Sequence, residues 1–96
     1  MSNSHDRAAK LIAKKLCGKY NRTGSPDVKG RRGSAEVKST AEEIPQALRQ
    51  LSGPKGPAYI ALPEREQNQA VRRLARLKTG LMNYQGKVLK SSTRKK

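Results

Sequence analysis

Pro26-Asp27 stands nine residues ahead of Glu36, and Glu36 is followed, across Val37, by Lys38. Two carboxylates and an amine in this order suit metal-assisted hydrolysis of a phosphodiester. The carboxylates supply hard oxygen ligands for a divalent cation such as Mg²⁺, for which Mn²⁺ can substitute. The ammonium orients an attacking water and stabilises charge on the phosphate. In an extended strand side chains alternate faces, so Glu36 and Lys38 project together while Ala35 and Val37 point the opposite way into a core. Asp27, at the start of a neighbouring strand, meets them across a hairpin.

The elements that must position these residues follow from periodicity and punctuation. Asn3 and Ser4 cap a helix over residues 5–17, in which Ala9, Ile12, Ala13 and Leu16 recur at helical spacing and which Gly18 ends. Residues 19–38 read as short strands with turns at Gly24-Ser25-Pro26 and Gly30-Arg31-Arg32-Gly33. A second helix spans 41–51, with Ile44, Leu48 and Leu51 on one side, until Gly53-Pro54-Lys55-Gly56-Pro57 breaks it. Residues 58–62 form a buried strand. A third helix over 64–78 turns Ala70, Val71, Leu74 and Leu77 inward and Arg72, Arg73, Arg76 and Lys78 outward, and Gly80 stops it. A final hairpin, 81–84 with 87–89, precedes a basic tail at 91–96 that is expected to be disordered without nucleic acid. The expected fold class is therefore α/β, a small mixed sheet flanked by helices in the order α-β-β-β-α-β-α plus a C-terminal hairpin, with residues 1–90 as one domain.

Charge sets the class of partner. The 96 residues carry 22 Lys and Arg against 7 Asp and Glu, a formal charge of +15. Such a field attracts polyanions, and the binding weakens steeply with salt. A ribosomal protein, a chromatin protein or an anionic-membrane binder fits that balance equally, so the chemistry rests on the carboxylates. Tyr20, Tyr59 and Tyr84 are the only aromatics and are too scattered for a base-stacking platform, which favours readout of shape and backbone. With 33% hydrophobic residues, no Phe and no Trp, the core rests on Leu, Ile, Val and Ala. The single cysteine, Cys17, excludes an intramolecular disulfide, and no apolar stretch approaches a bilayer span. No signal peptide is visible, and a reducing cytoplasm, that of the host cell if the protein is phage-encoded, is expected.

The Pro26-Asp27 and Glu36-Val37-Lys38 motifs, inside a helix–strands–helix pattern covering nearly the whole chain, resemble the PD-(D/E)XK nuclease superfamily. The Ala8-Ala9 helix and the run Glu36-Val37-Lys38-Ser39-Thr40 are most similar to archaeal-type Holliday junction resolvases, with small phage-borne replication–repair nucleases close behind. The resemblance implies a restriction-endonuclease-like fold and an Mg²⁺-dependent endodeoxyribonuclease in which Asp27, Glu36 and Lys38 are catalytic. Asp27 and Glu36 would bind the metal. Asp6 stands where relatives carry an acidic ligand on the first helix, and its helix-dipole role is the bland alternative. Gln46 is similar to an accessory glutamine of some members, and Ser25 or Thr23 to a functional serine ahead of the aspartate. Symmetrical cutting of a four-way junction implies a homodimer.

Arg22, Lys29, Arg31 and Arg32 surround the motif in sequence and are the first candidates for phosphate contacts. Arg72, Arg73 and Arg76 either grip a distant duplex arm or solvate their helix. His5 reads as an exposed histidine within reach of a phosphate. Restriction-type, nicking or flap cleavage competes within the enzyme class. A non-catalytic basic nucleic-acid-binding protein is the opposing class, separated by metal dependence. A membrane-surface binder is disfavoured because the helices carry core-facing stripes without aromatic anchors.

Overall fold

The computed structural model describes residues 4–21, 26–53 and 55–94. The chain runs through helix α1 (Ser4–Lys15), strands β1 (Gly18–Tyr20), β2 (Val28–Gly30) and β3 (Gly33–Val37), and helix α2 (Ile44–Gln50). Strand β4 (Ala58–Ala61), helix α3 (Gln67–Leu74) and strands β5 (Gly80–Met82) and β6 (Val88–Lys90) follow. Short 3₁₀ turns, Ala41–Glu43 and Glu64–Glu66, lead into α2 and α3. The six strands form one sheet in sequence order. β3, β4 and β5 are parallel, and the pairs on either side are antiparallel. This is the α/β order the sequence predicts, with α2 and α3 as the crossovers that parallel pairing requires.

Small and branched residues on alternate faces of the central strands make a core on each side. Val28, Ala35, Val37, Ala61 and Met82 pack beneath Ala8, Ala9, Ile12, Ala13 and Leu16 of the α1 segment. On the other face Ala58, Ile60, Leu62 and Leu81 meet Ile44, Ala47 and Leu51 from α2 and Ala70 and Leu74 from α3. Each larger side chain so buried stabilises by about 1.5–3 kcal/mol. Glu36 lies opposite Ile60 in the parallel register and so shares the second face, while Ala35 and Val37 take the first, as strand alternation requires.

Several expectations need correction. Gly18 does not end the first helix: α1 stops at Lys15 and Cys17 takes the left-handed conformation, φ 55°. Gly18 instead opens β1 opposite Gly30, where a Cβ on Gly18 would lie 2.3 Å from the Gly30 Cα. The glycine is needed for close backbone approach, so the turn falls to Cys17. The third helix ends at Leu74, because only Ala70 and Leu74 reach the core; Val71 and Leu77 remain 45% and 41% exposed. Lys90 Nζ then pins the following turn by donating to the Leu77 and Thr79 carbonyls at 2.8 and 2.9 Å.

Residues 91–94 also differ from a disordered tail. Ser92 Oγ accepts the Ala58 N–H and donates to the Lys78 carbonyl, Thr93 N–H donates to the same carbonyl, and Arg94 Nη1 donates to Leu51 O at 2.8 Å. Lys95 and Lys96 lie outside the described residues, as does the expected cap Asn3. No helix among the described residues is long and apolar enough to cross a membrane.

Candidate active site

β3 and β4 run side by side, and their pairing continues one residue past β3: Lys38 N–H donates to the Ala61 carbonyl at 3.0 Å. Tyr84, in the β5–β6 turn, donates its hydroxyl to the Lys38 carbonyl at 2.6 Å, and burial raises its phenol above the ordinary tyrosine range. Glu43 Oε1 accepts the N–H groups of Ser39 and Thr40, and Glu66 Oε1 that of Ala41, so the loop leaving Lys38 is held by side chains. The carboxyl ends of parallel strands are where ligands gather in open α/β sheets.

Asp27 immediately precedes β2, and continuing the Val28–Ala35 register sets it opposite Glu36. Opposed residues of an antiparallel pair have Cβ atoms about 5 Å apart. Asp27 N–H donates to Glu36 Oε1 at 2.6 Å, and Val37 N–H donates to Asp27 Oδ2 at 2.9 Å. Each carboxylate is thus fixed by the other's strand. Lys38 Nζ lies 3.7 Å from Glu36 Oε2, on the shared face that alternation predicts. The Glu36 side chain is only 1% exposed. Burial, and then the neighbouring Asp27 charge, push its carboxyl up to about 7, against the opposing pull of the Asp27 N–H bond and Lys38. Burial is the larger cause, so Glu36 keeps its proton at a pH where an exposed glutamate has lost it.

The start of α1 completes the cluster. His5 Nε2 lies 3.2 Å from Asp27 Oδ2, and the Tyr20 hydroxyl, from β1, donates to Asp6 Oδ1 at 2.5 Å and lies 3.4 Å from His5 Nδ1. From sequence His5 reads as an exposed histidine within reach of a phosphate and Tyr20 has no site role; in the structure both belong to the cluster. No local signal marks them, since only the fold brings the α1 N-terminus and β1 to the Asp27 end of the hairpin.

Asp6 is tied to the cluster by the Tyr20 hydroxyl and by His5, whose Nδ1 lies 3.8 Å from Asp6 Oδ1. Among the described residues no group of three or more His, Cys, Asp or Glu is arranged to hold a metal ion. Asp27 and Glu36 alone still fit Mg²⁺, which is bound through one or two carboxylates while water and substrate phosphate oxygens complete its shell. A cation bound here would displace the proton that buried Glu36 retains and balance the charge of the Asp27–Glu36 pair.

The remaining candidates separate. Gln46 is exposed on α2 and takes no part in the hydrogen bonds of the cluster. Arg22, Thr23 and Ser25 lie outside the described residues. Lys29 is exposed on β2 opposite Lys19, also exposed; since Val28 faces α1, both lysines lie on the sheet face that α1 leaves open. Like charges directly opposed across strands are destabilising, and a polyanion would relieve them. Arg31 and Arg32 are exposed at the opposite end of the hairpin, with their N–H groups bonded to the carbonyls of Cys17 and Leu16. They neighbour the motif in sequence, but a strand rise of about 3.3 Å per residue carries the turn roughly 10 Å from Glu36. Arg72 and Arg73 on α3, and Arg76 beyond it, are exposed. No family model, curated protein or solved structure matches the chain.

Proposed function

We propose that the protein is an Mg²⁺-dependent endonuclease that hydrolyses phosphodiester bonds in branched DNA, with the four-way junction as its favoured substrate, working as a homodimer in the cytoplasm. The observation that carries this reading is the opposition of Asp27 and buried Glu36 across one hairpin, with Lys38 Nζ 3.7 Å from Glu36. Asp27 and Glu36 would hold the ion, which when bound supplies Lewis-acid stabilisation of phosphoryl charge and lowers the pKa of water. Lys38 orients the attacking water for in-line approach. His5 steadies the Asp27 carboxylate, and Tyr20 steadies Asp6. Lys19 and Lys29 neutralise phosphates flanking the scissile one. The dimer is supported by the two-fold symmetry of a junction cut in paired strands.

A second reading is favoured by the same backbone bonds: Asp27 and Glu36 also close the end of the hairpin, as they would in a basic nucleic-acid-binding protein with no catalysis. Cleavage of an end-labelled four-way junction beside a matched duplex, in Mg²⁺ or EDTA, separates the two. Paired nicks in the junction that disappear in EDTA and in Asp27→Asn are expected. Cutting of both DNAs moves the substrate to duplex, as in a restriction-type enzyme, and tight binding without cleavage in Mg²⁺ or Mn²⁺ establishes the second reading.

A further inference from the structure

A cavity of about 420 Å³ opens where the 3₁₀ turn before α3 faces the β5–β6 turn, and Glu64, Gln67, Tyr84 and Lys87 are among the residues that line it. It borders the candidate site through Tyr84, which lines the cavity and bonds the Lys38 carbonyl at 2.6 Å. Its wall is preformed: Asn83 Oδ1 accepts the N–H groups of both Gln85 and Lys87 at 2.9 Å. The volume falls in the range of about 300–1,000 Å³ that small-molecule sites occupy.

The lining combines three chemistries. Tyr84, with Pro63 and Leu89, offers an aromatic and apolar face. Gln67 brings an amide that both donates and accepts, and Glu64 a carboxylate that accepts from amino groups. Lys87 is an exposed cation. A planar base has an apolar face, a hydrogen-bonding edge and an attached phosphate, and so uses all three. We propose that this cavity binds one unpaired, amino-bearing base of the DNA strand next to the scissile phosphate, an inference that rests on the nuclease reading and deepens it. The base stacks on Tyr84, its exocyclic amine donates to Glu64, its edge pairs with Gln67, and its phosphate meets Lys87. A paired base has this edge occupied and its faces stacked, whereas an already unpaired base is the least costly to extrude. Preference for branched DNA then follows where a pair at the branch point opens and releases a nucleotide for capture. Three scattered tyrosines make no stacking platform, but one base requires one ring.

Binding to duplexes with a single-nucleotide bulge tests this in EDTA, where cleavage does not intervene. The bulged base is 2-aminopurine, cytosine or thymine, and a continuous duplex is the control. Quenching of 2-aminopurine fluorescence is expected, with affinity for the cytosine bulge at least about fivefold above the control. The thymine bulge, lacking an amine, should fall below cytosine, and Gln67→Ala should abolish the bulge preference while leaving duplex affinity unchanged. Equal affinity for bulged and continuous DNA with unquenched fluorescence overturns the proposal. The same protein is scored in Mg²⁺ for cutting of a four-way junction. Loss of cutting with the bulge preference intact overturns the nuclease reading and supports the base site.

Discussion

At one end of the β2–β3 hairpin two glycines let backbones touch, and at the other two carboxylates are pressed together. At the turn end Gly30 lies against Gly18, and the N–H groups of Arg31 and Arg32 are taken up by the carbonyls of Cys17 and Leu16, leaving the arginine side chains in solvent. At the open end side chains do the bonding: Glu36 accepts from Asp27 and Asp27 from Val37, and Glu36 stays buried with its carboxyl raised to about 7. The turn end uses close backbone approach to fix the sheet on α1. The open end carries an electrostatic cost of about 3 kcal/mol when Glu36 ionises without a cation, a large share of the roughly 5–15 kcal/mol by which such domains are stable. A fold that tolerates this cost at one end, anchored at the other, is what a cation-binding site requires.

Glu36→Gln breaks the contrast most strongly. The amide still accepts the Asp27 N–H but brings no charge to a cation. Cleavage should fall by about 10³-fold or more, equivalent to roughly 4 kcal/mol of barrier, while the protein above pH 7 becomes more stable. Single-turnover cleavage and a urea melt on the same preparation check both signs, and a variant that loses activity together with stability would point to a structural role.

Gly30→Ala attacks the other end. Its Cβ would stand 2.3 Å from the Leu16 carbonyl oxygen and 2.8 Å from the Gly18 Cα, backbone atoms that cannot swing aside. A destabilisation of about 3 kcal/mol or more is expected. Gly53→Ala, with nothing within 4 Å of the new methyl, is the control and should be neutral or slightly stabilising. Denaturant midpoints of the two variants measure the difference.

The sequence shows these ends unequally. Alternation along Ala35-Glu36-Val37-Lys38 is a local property, and the structure keeps Glu36 and Lys38 together and sends Ala35 and Val37 to the α1 core. The element order is legible for the same reason, since helical and strand periods differ. His5 and Tyr20 are not legible as site residues, because their meeting with Asp27 and Asp6 depends on how α1 lies across β1 and β2. Gly18 reads as a helix stop because a glycine after a helix and a glycine at a close strand crossing look alike in one chain. Arg31 and Arg32 are near the motif only in sequence, because a hairpin separates its turn from its ends.

The titration of Glu36 sharpens the comparison at constant sequence. With a pKa of about 7 folded against 4.5 for an unperturbed glutamate, the folded state holds the proton more tightly than the unfolded one. This contribution to stability is fully present below pH 4.5 and is lost as the pH rises through about 7, a change on the order of 3 kcal/mol. The metal-free melting temperature should fall by about 10 °C or more from pH 4.5 to 8. Glu36→Gln removes this component, so the wild-type minus variant difference isolates it from the other titrating groups. Added Mg²⁺ at pH 8 should raise the wild-type melting temperature and leave that of the variant unchanged.

The smallest effects distinguish the mid-strand lysines from the arginines of the turn. If phosphates run along the open sheet face beside Asp27, replacing Lys19 and Lys29 by alanine should lower the salt slope of DNA binding by about 0.9 for each phosphate that is no longer neutralised. The same change in the solvent-facing Arg31 and Arg32, beyond the far end of the hairpin, should lower it less. The lysine pair has a second signature of opposite sign. Removing two like charges that face each other across β1 and β2 should stabilise the DNA-free protein by a few tenths of a kcal/mol, while the arginine turn, whose backbone bonds survive truncation, should be unaffected. Weaker binding together with a more stable protein would mark Lys19 and Lys29 as a repulsive pair retained for a polyanion. Weaker binding from the arginine pair alone would move the nucleic-acid path to the turn end of the hairpin and away from Glu36.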